Sequence, residues 1–118
     1  MNGFNLKDAV DALLKFRNDR SWEQFHTEMT VSMSIAIETA ELMEHFQWKN
    51  NSEVSNYIKS GEFESIKEEI ADIAAYLVLL THDLNIDLNQ AMLEKIKKNE
   101  LKYPVEKCRG KSNKYNNL

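Results

Sequence analysis

The chain has 118 residues, 42% of them hydrophobic and 29% charged, and its 15 basic and 19 acidic side chains leave a formal charge of −4. That balance argues against a general nucleic-acid surface, and no apolar run approaches the roughly 18 residues a membrane span requires. The single cysteine, Cys108, rules out an intrachain disulfide framework.

The length suits one domain, expected over residues 1–104, with 105–118 forming a basic tail that is mobile at its end. With no basic-flanked apolar segment at the start, the expected location is cytoplasmic. Only three glycines and one proline interrupt the chain, so the elements should be helices. The first is expected from Leu6 to about Asn18, with Asn5 as its cap, Asp8 in its first turn and Ala9, Leu13 and Phe16 as its apolar stripe. The segment DRSWEQFHTEMT lacks a sustained period and reads as a short helical turn or ordered loop. Thr30 can cap a second helix that reaches Phe46 or Trp48. A short helix ending at Gly61 should follow, then a long helix from about Glu62 to Leu84. Asp87, with Gln90 three residues on, opens the last helix, which must end before Pro104. No stretch alternates at period two for long enough to make a sheet. The expected fold is an all-α antiparallel bundle of about four to five helices, completed by oligomerisation.

The second and third long helices carry acids where a core stripe is expected. On a helix, Glu38, Glu41, Ser34 and His45 share one face, bordered by Val31, Ile35 and Leu42. The third long helix repeats the pattern, with Glu69, Asp72, Ser65 and Tyr76 on one face among Ile66, Ile73 and Leu80. Each helix therefore offers two carboxylates one turn apart, whereas a surface helix separates polar and apolar residues more cleanly. Four such carboxylates brought together would repel strongly without a divalent cation, and an all-oxygen donor set suits magnesium or manganese better than zinc. Glu44 and Glu68 point partly away from these stripes.

The last helix has the opposite sign. Lys95, Asn99 and Lys102 fall on one face with Tyr103 beside it. A row of lysine and amide groups near a carboxylate-held cation is the chemistry a polyphosphate requires.

The segments WEQFH, ETAELMEHFQW, EEIADIAAYL and KNELKYPVEKCRG occur in that order between Trp22 and Gly110. In them the chain resembles the all-helical nucleoside triphosphate pyrophosphatases, the MazG-like group that includes the deoxycytidine triphosphatases. The resemblance implies that Glu38, Glu41, Glu69 and Asp72 are the catalytic acids and hold Mg2+, with Mn2+ as a substitute. It implies hydrolysis of a nucleoside triphosphate between the α and β phosphates and assembly as a homodimer or homotetramer, without nucleic-acid or membrane partners. It also suggests Trp22, His26, Trp48 and Tyr76 for the base, with deoxycytidine or a related pyrimidine first. Lys95, Asn99, Lys102, Tyr103 and Arg109 match the phosphate-side motif, which makes the start of the tail functional. The chain departs from the branch after His26, where Glu28, Met29 and Thr30 replace a proline, a basic residue and an asparagine.

The implied chemistry is attack of water on phosphorus, with Glu41 and Asp72 as candidates for a bridging or base role and no covalent nucleophile. Two alternatives share these residues: a phosphoribosyl-ATP pyrophosphohydrolase, and a non-enzymatic helical module that oligomerises or binds metal.

Overall fold

The structure is a computed structural model that describes residues 6–117. Six α-helices and two 3-10 turns account for the regular structure among the described residues, and no strand occurs there. The helices are α1 (Lys7–Asp19), α2 (Glu28–Glu44), α3 (Asn51–Ile58), α4 (Phe63–Asp83), α5 (Leu88–Lys102) and α6 (Val105–Cys108). They group into two compact units, one running through Leu84 and the other beginning at Asn85.

In the first unit the principal contact is between α2 and α4, and α1 packs on α4 and on the 3-10 turn Trp22–Phe25. The two long helices run antiparallel. Glu41, late in α2, lies beside Glu69, early in α4, whereas Glu38, one turn earlier, shares a cavity with Asp72, Tyr76 and Leu79. Val31, Ile66 and Leu79 are the buried hydrophobic residues among those described. Val31 and Ile66 border the acidic stripes, so apolar burial and carboxylate crowding occupy the same helix–helix contact.

The start of α2 departs from expectation. Thr27, not Thr30, is the N-cap: its Oγ1 accepts from the Thr30 N–H at 3.1 Å, while Thr30 Oγ1 accepts from the Thr27 N–H at 2.9 Å. This reciprocal capping box starts the helix three residues earlier. The helix then ends at Glu44, short of Phe46, and the chain turns through Trp48 at φ 66° before Asn50 caps α3. Expected caps elsewhere hold only in part. Asp87 Oδ1 accepts from the Gln90 N–H at 3.0 Å, but the Gln90 side chain donates to Glu94, so the reciprocal half of that box is absent. The expected cap Asn5 lies outside the described residues, and Leu6 occupies the cap position of α1 without a side-chain bond. The short helix α3 stops at Ile58, before Gly61.

A part-buried ion pair joins α1 to α4, its arginine inside and its carboxylate reaching solvent. The two terminal nitrogens of Arg17 donate to the two carboxylate oxygens of Asp83 at 2.9 and 3.0 Å, and Arg17 is only 6% exposed. By contrast, the pairs Lys7–Asp11, Lys15–Asp19 and Lys67–Glu64 lie on the surface within single helices. Solvent screens such pairs, and they add little to stability.

In the second unit, Pro104 stops α5 and caps α6, a turn of helix that the count of four to five did not include. Beyond it lies the 3-10 turn Tyr115–Asn117, where the Tyr115 ring meets Tyr103 edge-on at 6.2 Å and the Lys102 ammonium lies 4.9 Å from the Tyr115 ring centre. No described helix is long and apolar enough to cross a membrane.

Candidate active site

The two acidic stripes meet where α2 and α4 pack. Glu38, Glu41 and Glu69 each bring a carboxylate oxygen within 4.8 Å of the others. Glu38 and Glu69 are half-buried and Glu41 is exposed. Asp72, the fourth acid expected here, lies outside that group of three but close enough to act on Glu38, with which it lines a cavity.

Glu38 records the crowding. Its pKa rises from 4.5 to about 7, first through burial, then through a proton shared with Glu69, and then through the charge of Glu41; Asp72 adds to the rise. One oxygen of Glu38 and one of Glu69, both Oε2, are buried and have no hydrogen-bond partner. Buried carboxylate oxygens without donors, all hard ligands and set close together, fit a divalent cation that prefers oxygen.

The trio lies between two cavities. One, of about 190 Å3, is bounded by Trp22, His26, Tyr76, Glu38, Asp72 and Arg17. Its aromatic walls come from the 3-10 turn and from α4, and Trp22 is braced edge-on by Phe16 at 5.6 Å. Thus Trp22, His26 and Tyr76, three of the four residues expected to hold a base, share one cavity with two of the acids. Trp48 does not join them: it is 91% exposed and does not line this cavity.

The other cavity, of about 390 Å3, is polar and bounded by Glu41, Glu44, Glu69, His45 and Tyr57. His45 Nδ1 and the Tyr57 hydroxyl are 2.7 Å apart, and the Lys49 ammonium lies 4.4 Å from the Tyr57 ring centre. Burial first, then the Glu62 charge, pushes the Tyr57 pKa up. His45 was expected on the acidic face, whereas Tyr57 reaches the site from α3 without any sequence signal.

Arg17 was also missed, although a signal was present: it sits on the apolar stripe of α1, one turn after Leu13. Asp83 holds its pKa up, and Arg17 in turn holds Asp83 below the usual carboxylate range. In the second unit, Lys95 and Lys102 are exposed, Asn99 is half-buried, and the Asn99 carbonyl accepts from the Tyr103 N–H at 2.9 Å. Arg109, just beyond α6, is exposed.

An all-helical fold with a cluster of carboxylate oxygens beside an aromatic cavity is suited to holding a divalent cation next to a flat ligand. Residues 33–118 match the MazG-like family, and the chain belongs to it. It is 39% identical to dCTP pyrophosphatase 1 of Bos taurus over 114 residues, which span 96% of this chain and 68% of that protein. The Mus musculus dCTP pyrophosphatase 1 is 36% identical over the same share of this chain and 67% of its own length. Among solved structures, a pyrophosphatase from Archaeoglobus fulgidus superposes with a TM-score of 0.79 at 36% identity, covering 88% of this chain and 96% of that one.

The Glu38 shift sets the pH response of the metal-free protein. Between about pH 4.5 and 7 the unfolded chain gives up this proton while the folded chain keeps it. The folded state then binds more protons, so its stability falls as pH rises through that window and levels off above it. Asp83, whose pKa is lowered, adds no slope of its own there. Melting in chelator should therefore show a decline from pH 5 to 8 that Glu38→Gln reduces. A wild-type melting temperature that rises steadily over the same range would contradict the reading.

Proposed function

We propose that this protein hydrolyses a deoxynucleoside triphosphate, with deoxycytidine triphosphate or a related pyrimidine first, between the α and β phosphates, giving the monophosphate and pyrophosphate. The observation that carries the reading is the position of the Glu38–Glu41–Glu69 trio against the cavity of Trp22, His26 and Tyr76. The relatives named dCTP pyrophosphatase 1 support the same chemistry and the same base.

In this reading Glu38, Glu41 and Glu69, with Asp72 beside them, hold Mg2+. When bound, the ion offsets phosphate charge and acidifies water. Glu41, the most open of the three and facing the polar cavity, accepts the proton of the attacking water. Trp22 and Tyr76 take the flat faces of the base, and His26 gives a directed hydrogen bond. Lys95, Asn99, Lys102, Tyr103 and Arg109, all in the second unit, carry the charge and donors that a phosphate chain and a departing pyrophosphate require.

The functional unit in this reading is at least a dimer of the chain. Helix α2 is apolar on two sides: Val31 is buried and Ile35 and Leu42 are half-buried, while Met29, Met33, Ile37 and Met43 stay more than half exposed. A helix apolar around most of its circumference belongs in an interior, and a second copy supplies one. A tryptophan as exposed as Trp48 serves the base site only if a neighbouring chain brings it there.

Two measurements test these statements. With magnesium and a panel of triphosphates, wild type should release monophosphate and pyrophosphate in equal amounts. Glu38→Gln and Asp72→Asn should each lose most turnover while keeping the fold, and Lys95→Ala or Lys102→Ala should cost about 1.5–3 kcal/mol in kcat/KM. Wild-type turnover in either acid variant at limiting magnesium would remove the site assignment, and a clear purine preference would overturn the base. Sedimentation at micromolar concentration should find a dimer or larger species that Ile37→Glu weakens; an active wild-type monomer would contradict the assembly.

A further inference from the structure

Arg17 is a charged side chain in a place where its ion pair alone does not account for it. It lies among the apolar residues of α1, 6% exposed, and forms one wall of the cavity that also contains Trp22, Tyr76, Glu38 and Asp72. A guanidinium has five N–H donors. Two of them, one on each terminal nitrogen, are used end-on by Asp83. That geometry leaves the Nε edge of the fork over, and Nε is buried with no hydrogen-bond partner. An unsatisfied buried donor costs about 1–3 kcal/mol, so this edge of Arg17 has a hydrogen bond to gain from an acceptor brought into the cavity.

The charge of the pair indicates what kind of acceptor. Asp83 already balances the guanidinium, so Arg17 offers the cavity donors rather than net positive charge. A phosphate, which needs net charge, would be better served by a cation held at the carboxylates. A neutral oxygen needs only an oriented N–H. The bidentate grip of Asp83 fixes the plane of the fork, and Phe16 and Trp22, both nearly half exposed, line the same cavity. Resting on the reading that a nucleobase occupies this cavity, we infer that Arg17 is a specificity-determining residue that donates a hydrogen bond from its free edge to a ring carbonyl of the base, with Asp83 as the residue that positions it.

The inference predicts selection by carbonyl. Deoxycytidine, deoxyuridine and thymidine bases carry a ring carbonyl, whereas adenine carries none. Losing a donor of this kind should reduce kcat/KM for deoxycytidine triphosphate by about 10- to 100-fold, while deoxyadenosine triphosphate is left nearly unchanged. Because Arg17→Met alone strands Asp83 and can unfold the protein, the deciding variant removes both charges, as Arg17→Met with Asp83→Leu. Removing both partners leaves no charge stranded, and Asp83 reaches solvent, so the double variant avoids the cost of an uncompensated Arg17 or Asp83. Melting curves would establish that the double variant is folded. Calorimetry with deoxycytidine monophosphate and deoxyadenosine monophosphate would read base binding apart from turnover.

The expected result is a folded double variant whose preference for deoxycytidine over deoxyadenosine triphosphate collapses, mainly through KM, with a matching loss of deoxycytidine monophosphate affinity. A folded double variant that keeps the wild-type ratio overturns the role of Arg17. Trp22→Ala separates this from failure of the underlying reading, since loss of a base-stacking wall should lower kcat/KM for every triphosphate. If Trp22→Ala changes nothing, the base does not occupy the cavity, and both statements fall together.

Discussion

The close approach of Glu38, Glu41 and Glu69 sets the terms for the rest of the first unit. Two full charges about 5 Å apart repel by about 3 kcal/mol at an effective dielectric constant of about 20. Water at the exposed Glu41 reduces that figure, but Glu38 and Glu69 are half-buried and have less solvent to screen them. Against a total stability of about 5–15 kcal/mol for an ordinary domain, such a cluster is a large internal load. The helices that bear it have few fully buried apolar residues to oppose it, namely Val31, Ile66 and Leu79. The chain relieves the load in the metal-free state by keeping a proton on Glu38.

Around this cluster the chain divides its chemistry between two sides. The aromatic cavity uses residues from α1, the first 3-10 turn and α4, and the Arg17–Asp83 pair ties α1 to α4 behind it. The polar cavity uses the end of α2 and Tyr57 of α3, whose hydroxyl meets His45. Both cavities share the helices that carry the acids, so a shift of α2 against α4 would alter the carboxylate cluster and the cavity walls together.

Much of this was legible in the sequence because helices advertise themselves by period. The spacing of Glu38 with Glu41 and of Glu69 with Asp72 put each pair on one face, and the apolar neighbours showed that the faces turn inward. The spacing did not reveal that Asp72 lies outside the closest three, since that depends on the stagger of α2 against α4. The start of α2 was misplaced because a capping box is sought as threonine followed by glutamate or glutamine; here the third position is Thr30, whose hydroxyl makes the return bond. Arg17 and Asp83 are 66 residues apart, so no local spacing marks them as partners. Trp48 was recognisable by motif, yet its left-handed backbone and its exposure depend on a turn whose geometry has no periodic signal.

The central claim, that the carboxylate cluster is built to exchange its proton for a divalent cation, is tested most directly by the number of protons released when the cation binds. Calorimetric titration with magnesium or manganese, repeated in buffers of different ionisation enthalpy, gives that number at each pH. The account predicts saturable binding with release of a substantial fraction of one proton near pH 6, decreasing through pH 7 and vanishing by about pH 9, with Glu38→Gln losing the release. Binding without proton release at any pH, or release that is unchanged by Glu38→Gln, would contradict it.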